Sequence, residues 1–192
     1  MIRRPVRERP ARFWPARFWP DRRGVAAVEF ALIAPLMIAL YFGLAELTMG
    51  LMAEQRSNHL VSMMADLVAQ DAQTDEAALD EVMSTGTAIM EPFPATAGLL
   101  KIRISGVVAD DKGNVTVAWS RATGGFSARP PGSSIDDPPE NLLAENEGLV
   151  LAEVEYKHKP VIGYVIDQTM TFKDRWFARP RQAVQVVCSD CD

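Results

Sequence analysis

Residues 22–45 read RRGVAAVEFALIAPLMIALYFGLA, and this stretch decides the fold. Two arginines and Gly24 precede 21 residues, 25–45, that contain one charged side chain, Glu29. A helix of that length is about 31 Å long, and the hydrocarbon core of a bilayer is about 30 Å thick. The stretch therefore predicts a single transmembrane helix, with a water-soluble domain after it.

Glu29 is unusual in such a span. A carboxylate is unfavourable there by about 2.5–3.5 kcal/mol at the membrane centre, and by less near the edge. Glu29 therefore needs either a place among the lipid headgroups or a cationic partner. Cleavage after Gly24 would create an α-amino group on Val25, one helical turn away. That amine, or the amine of a neighbouring copy, could pair with the carboxylate.

The same residues carry a family resemblance. Gly24, four further residues, Glu29-Phe30 and a continuous apolar helix resemble the processing site of type IV prepilins. The longer run RRGVAAVEFALIAPL is similar to the TadE-like pseudopilins of tight-adherence (Flp-type) pili. The resemblance implies cleavage between Gly24 and Val25 by a membrane-embedded prepilin peptidase. Glu29 would then be the fifth mature residue, and Phe30 the aromatic residue that follows it.

The charge is divided across the span. Residues 1–23 hold eight arginines and two carboxylates, a net charge of +6, whereas residues 24–192 have a net charge of −11. Positive flanks tend to remain cytoplasmic, which predicts a single-pass protein with its N-terminus inside and its acidic domain outside. The family resemblance implies that the membrane is the bacterial inner membrane and that the C-terminal domain is periplasmic. An arginine-rich arm also suits nucleic acid, but these arginines adjoin a span, so we expect membrane lipid and no nucleic-acid partner. A secretory signal has an apolar core of only 7–15 residues, shorter than this one.

Three segments follow from this pattern: a basic cytoplasmic leader at 1–24, a transmembrane helix at 25–47 and an extracytoplasmic domain at 48–192. The helix should continue to about Gln70, because no turn signal interrupts it. A second helix should start at 74–76, where a capping side chain precedes acidic residues, and end before two prolines at about 91. The apolar stripe predicted to cover the core from the first helix consists of Leu60, Met63, Met64, Leu67 and Val68.

Beyond residue 99 the apolar period changes to two, which is typical of strands. Apolar and polar residues alternate at 100–104 and at 115–119, and turn-forming residues lie between the two segments at 110–114. This pattern predicts a β-hairpin. Further strands are predicted from Leu149 to Pro160, at 168–177 and, as a short fifth strand, at 183–187. Residues 121–148 read as a long flexible loop or binding surface, with a helical turn at 140–145. The predicted fold class is α+β and pilin-like: a long N-terminal transmembrane helix extending into a small antiparallel β-sheet domain.

The sequence offers little enzyme chemistry. His59 and His158 are the only histidines, and neither has an evident nucleophile or metal-ligand partner nearby in the sequence. The acidic turn at 110–114 lacks the ligand spacing of a calcium loop. Cys188 and Cys191 have the spacing of a redox pair, but a local disulfide or a bond to a partner suits a site outside the cytoplasm. We therefore expect no catalytic residues, no cofactor and no metal.

Together these observations predict an assembly component of a tight-adherence pilus, contributing to pilus biogenesis and surface adhesion. Its implied partners are the prepilin peptidase, other pilins and pseudopilins, and the inner-membrane pilus assembly platform. The resemblance implies an accessory role rather than that of the bulk fibre subunit. Two alternatives remain open: an uncleaved single-pass anchor or scaffold of a secretion machine, and an adhesin that binds a ligand through the 121–148 loop.

Overall fold

A computed structural model describes residues 24–96, 98–110, 114–136, 147–161, 163 and 167–191. Residues 1–23 of the predicted 1–24 leader, the centre of the hairpin turn and the predicted helical turn at 140–145 lie outside these residues. Contacts divide the chain into two units, Met1–Tyr41 and Phe42–Asp192. Each unit is described by itself below.

Helix α1, Val25–Val68, is the longest element. In the second unit one of its faces is buried at helical spacing, by Glu46, Gly50, Ala53, Ser57, Leu60, Val61, Met64, Ala65 and Val68. The predicted stripe is confirmed at Leu60, Met64 and Val68, but it is wrong at Leu67, which is 37% exposed. Successive residues are about 100° apart around a helix, and the buried small residues Ala53 and Ser57 turn the contact face away from Leu67.

The predicted second helix is two short helices, α2 at Glu76–Ser84 and α3 at Gly86–Ile89. Asp75, and not Thr74, is the N-cap, and its side chain accepts a hydrogen bond from the Ala78 amide at 2.7 Å. Such a cap satisfies one of the backbone donors left free at a helix start. The break falls at Thr85, whose amide closes the last turn of α2.

Four antiparallel strands form the main sheet, in the order β3-β2-β4-β5. Their bounds are Leu100–Ala109 for β2, Val115–Thr123 for β3, Gly148–His158 for β4 and Met170–Ala178 for β5. The β2–β3 hairpin joins the predicted strands, and β4 pairs with β2 so that Ile102 lies opposite Val154. A long apolar helix followed by a small antiparallel sheet confirms the predicted α+β class.

A second, two-stranded sheet was not predicted. Strand β1, Gln73–Thr74, pairs in parallel with β6, Val187–Cys188. The predicted strand at 183–187 is therefore wrong except at its last residue, because residues 182–185 bend instead of pairing. This pairing fastens the C-terminal segment beside the start of α2.

The connection between β3 and β4 is shorter than the predicted 121–148 loop, since β3 continues to Thr123 and β4 begins at Gly148. Part of it adds to the free edge of β3. The Val117 amide donates to the Ser133 carbonyl at 2.9 Å, and the Ile135 amide donates to the Val115 carbonyl at 3.1 Å. The Ile135 side chain is buried against the sheet. The described part of this connection thus protects a sheet edge that would otherwise expose unpaired backbone groups.

The main core lies between the second half of α1, helices α2 and α3, and one face of the sheet. Trp119 joins the C-terminal segment to this core, because its buried indole Nε1–H donates to the Val186 carbonyl at 2.8 Å. A buried Trp N–H usually needs such a partner. Opposite Trp119 in the sheet lies Gly106, where a Cβ atom would stand 2.3 Å from the indole nitrogen.

We expect Gly106→Ala to lower the free energy of unfolding by about 1–3 kcal/mol, the usual cost of forcing an extra carbon into a packed core. The indole is rigid and buried, so it cannot yield as a flexible side chain would. Urea unfolding of the detergent-solubilised chain, followed by Trp fluorescence, measures the effect. Gly50→Ala is the matched control, because its added Cβ would meet only the flexible Met170 side chain at 3.4 Å. Equal stabilities of the two variants would contradict this packing account.

Candidate assembly site

Gly24 and Val25, the predicted cleavage residues, lie at the beginning of α1. Val25 is the first residue of the helix, and both residues are exposed. A Cβ atom added to Gly24 would meet no heavy atom within 4 Å, so packing within the described structure does not require glycine there. The packing of the described residues therefore does not account for a glycine at this position.

Glu29 and Phe30 lie in the second turn of the same helix, and both are exposed. Glu29 follows Val25 by four residues, the spacing at which two groups on a helix become neighbours. The Phe30 side chain is 72% exposed. The carboxylate of Glu29 and the ring of Phe30 are therefore accessible to other molecules.

The apolar surface of the N-terminal part of α1 is left uncovered by the residues that the structure describes. Its exposed large side chains, up to Leu44, are Val25, Val28, Phe30, Leu32, Ile33, Leu36, Met37, Ile38, Leu40, Tyr41, Phe42 and Leu44. Among the described residues, α1 is the one helix long and apolar enough to cross a membrane. An uninterrupted apolar surface of this size requires lipid or other protein around it.

Two of the polar contacts between the C-terminal part of α1 and the rest of the domain involve buried residues of the helix. The Ser57 hydroxyl donates to Asp174 Oδ2 on β5 at 2.5 Å, and Ser57 is fully buried. Glu46 is only 2% exposed, and its Oε1 accepts a hydrogen bond from the Gly163 amide at 2.6 Å. Glu46 directly follows the apolar stretch at 25–45, and no local pattern indicates its burial, since Gly163 lies 117 residues further along the chain.

Cys188 and Cys191 are joined by a disulfide. Both are partly buried against the main core, and Cys188 belongs to β6, which pairs with β1. Asp190, inside the bridged loop, accepts a hydrogen bond from the Glu76 amide at the start of α2, at 2.8 Å. The bridge thus stiffens the segment that caps α2. Among the described residues, Cys188, Asp190 and Cys191 form the one group whose ligand atoms are close enough to hold a metal ion. Because the two sulfurs are bonded to each other, however, they are not thiolates, the form of cysteine that binds metals.

The two histidines do not form a site together. His59 is exposed on α1. His158 is 3% exposed at the end of β4, where its ring packs edge-on against Phe93 at 5.7 Å between centroids. Burial lowers the pKa of His158, so the neutral ring is favoured and the residue acts as part of the core.

A set of ion pairs lies on the outer face of the sheet, around Glu153 of β4. Its carboxylate accepts from Arg103 Nε at 2.7 Å, and from Arg129 at 3.1 Å and 2.8 Å. Phe126 covers the Arg103 guanidinium at 4.8 Å from the ring centroid. Arg129 and Phe126 both belong to the connection after β3, so Glu153 holds that connection against the sheet.

Glu153 should contribute stability that depends on pH. Burial by itself raises its pKa, but the hydrogen bonds from Arg129 and Arg103 outweigh this and leave the pKa below its ordinary value. A carboxyl with a lowered folded-state pKa stabilises the fold above its unfolded pKa, about 4.3, and loses that contribution as the pH falls further. We expect Glu153→Gln to cost about 1.5–3 kcal/mol at pH 7, with the difference from wild type shrinking below pH 4.

Urea titrations of both proteins at pH 7 and at pH 3.5 measure this. The control is Asp80→Asn, which removes the exposed Asp80–Arg121 pair and should cost only about 0.2–1 kcal/mol. A constant Glu153→Gln difference across the two pH values would rule out the ionised carboxylate as the cause.

A hollow of about 450 Å³ lies between α2 and the edge of the sheet. The charged groups in its lining are Asp80 and Arg121, which bind one another through two hydrogen bonds of 3.0 Å and 2.8 Å. This pairing lowers the pKa of Asp80 and keeps it ionised. Neither group is poised as a general acid or base near neutral pH.

Comparison with known proteins gives a family match in the N-terminal part of the chain. Residues 24–66 match the family model described as TadE-like protein. The match begins at the predicted cleavage glycine and covers most of α1, and it confirms the resemblance drawn from the sequence. No curated protein and no solved structure gave a significant match to the chain.

Proposed function

We propose that this chain, which carries the TadE-like segment at residues 24–66, is a minor pseudopilin of a tight-adherence pilus. The TadE-like family implies a role in tight-adherence pilus systems. TadE-like pilus components are structural proteins, so the proposed work of the chain is assembly rather than catalysis. The observation that carries the proposal is the helix that begins at Val25, with an uncovered apolar surface and one carboxylate, Glu29, a turn from its start.

The first step of the proposed mechanism is cleavage after Gly24 by a prepilin peptidase. A peptidase that cuts at a glycine needs close access to the backbone, which a side chain would block. The exposure of Gly24 and the empty space around it support this, since the fold of the unit does not explain the glycine. Cleavage would leave Val25 as the first residue of the mature protein.

The second step is pairing of the new charge. The α-amino group of a mature Val25 is cationic over most of the physiological pH range, with an ordinary pKa of about 7.7–8.0. Glu29 lies four residues away on the same helix, within reach of that amine or of the amine of a neighbouring subunit. Pairing offsets the cost of a charge in lipid and gives a defined register between subunits.

The third step is helix packing. Once the charge is paired, the apolar surface of α1 can exchange lipid for the helices of other pilins and pseudopilins. Head-to-tail contacts of this kind extend rather than close, so they suit a fibre or its initiating complex. The folded domain that starts within α1 would remain outside and carry the contacts specific to this subunit, including those used in surface adhesion.

The proposed setting is the bacterial inner membrane, with the N-terminus in the cytoplasm and the domain in the periplasm. The net charge of +6 before Gly24 and −11 after it supports this orientation. Here the chain would meet the peptidase, lipid and the inner-membrane assembly platform. An uncleaved anchor or scaffold would share this topology, and cleavage is what separates the two functions.

Crosslinking from the span tests the assembly function. A photo-reactive amino acid at position 36, where Leu36 is 66% exposed, should form adducts with pilin-type subunits in piliated cells. The same group at position 184, where Val184 is 63% exposed in the folded domain, is the control for non-specific capture. If position 36 gave no adducts with such subunits while the fibres were being made, the proposed role would be wrong.

A further inference from the structure

The connection between β4 and β5 exposes an apolar side chain, Val161. Val161, in this connection, is 77% exposed, the largest fraction among the described large apolar side chains and comparable with Leu32 in the span at 74%. The sequence from Pro160 to Ile166 contains no charged residue, and Lys159 stands directly before it. An exposed apolar side chain beside a lysine is a common arrangement at the lipid headgroup boundary.

The position of this connection in the protein follows from its contact with α1. Gly163 donates its amide hydrogen to Glu46 at 2.6 Å. Glu46 directly follows the 21-residue apolar stretch at 25–45, which has the length needed to cross the hydrocarbon core. A span that starts at Val25 therefore leaves Glu46, and the backbone bonded to it, at the outer boundary of the bilayer.

A second contact holds the same connection close to the helix. Met170, where β5 begins, lies against Gly50, one helical turn beyond Glu46. Gly163, within this connection, and Met170, at its end, thus both lie next to α1. Both contacts lie within the folded domain. Their partners on α1, Glu46 and Gly50, are close in sequence to the end of the span.

We propose that Lys159 and Val161 rest on the outer leaflet of the membrane that α1 crosses, with Val161 in the lipid interface and Lys159 among the headgroups. Glu46 positions the connection, because its carboxylate is the acceptor for Gly163. Burial of Val161 and the attraction of Lys159 to anionic lipid both favour this contact. The folded domain is thereby seated on the bilayer while the subunit awaits assembly. This rests on the membrane-spanning part of the proposed function, and not on cleavage or fibre formation.

Nitroxide labels on the full chain in anionic bilayers test the contact. Val161→Cys and Val184→Cys are matched, since both replace an exposed valine of the folded domain, and the native cysteines are bonded to each other. We expect the label at 161 to collide mainly with oxygen, which concentrates in lipid. The label at 184 should collide mainly with a water-soluble nickel complex. Equal, water-like behaviour at 161 and 184, or a label at 161 shielded from both reagents by protein, would overturn the proposal.

A third label, Leu36→Cys, separates this inference from the function on which it rests. A lipid-exposed label at 36 with a water-exposed label at 161 overturns the membrane contact and leaves the span intact. A water-exposed label at 36 overturns both.

Glu46 has its own test. Glu46→Leu removes the acceptor for Gly163, so the label at 161 should shift towards the behaviour of the label at 184. Glu46→Gln keeps an acceptor oxygen and should shift it less. Trp fluorescence of both variants verifies that the domain is folded. An unchanged label at 161 in a folded Glu46→Leu protein would overturn the positioning role.

Discussion

Replacing Gly24 by valine is expected to leave the leader attached to the protein. The proposed peptidase must approach the backbone closely at this residue, and valine places a branched side chain there. Steric exclusion of extra carbon atoms from an enzyme pocket lowers rates by about 10–200-fold. Intact mass measurement of membrane-associated protein should therefore find residues 1–192 in the variant, where wild type gives 25–192.

The structure makes this variant informative, because a Cβ at Gly24 would meet no heavy atom within 4 Å. Loss of cleavage would then reflect recognition by the peptidase rather than misfolding of the unit. Ala27→Val is the control, since it adds similar bulk within the span and should leave cleavage intact. Normal processing of Gly24→Val would show that glycine is not what the cleavage step recognises.

Glu29→Ala is expected to have the opposite pattern, with normal cleavage and loss of assembly. The variant leaves Gly24 unchanged, so the peptidase should still cut after it. It removes the carboxylate that would pair with the mature amino terminus. Breaking a buried ion pair by removing one partner costs about 3–5 kcal/mol, enough to reduce an assembly equilibrium about 10²-fold or more. Fibre yield by electron microscopy and mature mass should be measured on the same cells.

Two further variants separate the charge from general damage to the helix. Glu29→Gln keeps the shape and the hydrogen-bonding oxygen, and it should still impair assembly, because it lacks the charge. Glu54→Ala removes a carboxylate further along α1, outside the span, and should leave fibres unaffected. Unimpaired fibres with Glu29→Ala would remove the charge-pairing step from the mechanism.

The features that the sequence predicted correctly depend on local repetition. The apolar run from Val25 predicts a helix without reference to any distant partner. The alternation of apolar and polar residues at 100–104 and 115–119 is likewise typical of half-buried strands. The match to the TadE-like family falls on the same local stretch, residues 24–66. The fold class and the family match at residues 24–66 were therefore predictable from a small number of short segments.

The features that sequence analysis missed depend on distant partners. The contacts of Ser57 with Asp174 and of Glu46 with Gly163 each join residues 117 apart in the sequence. The local periodicity of apolar residues does not indicate such contacts. Strands β1 and β6 have only two residues each, too few for an alternation to be visible. The break at Thr85 was missed because the apolar face of the helix continues across it, from Met83 to Met90.

The two parts of α1 illustrate this difference. The N-terminal part is read from composition alone, because the described residues of its own chain leave it uncovered. The C-terminal part is buried by its own domain, and small residues such as Ala53 and Ser57 set its contact face. The prediction was based on large side chains such as Leu67, and it therefore placed that face wrongly.

N-terminal sequencing of the membrane-associated protein, from cells with an active prepilin peptidase, tests the central claim most directly. A mature pseudopilin should begin at Val25, with Glu29 in the fifth sequencing cycle. A chain that begins at Met1 in such cells would contradict the account, and the protein would then be an uncleaved membrane anchor.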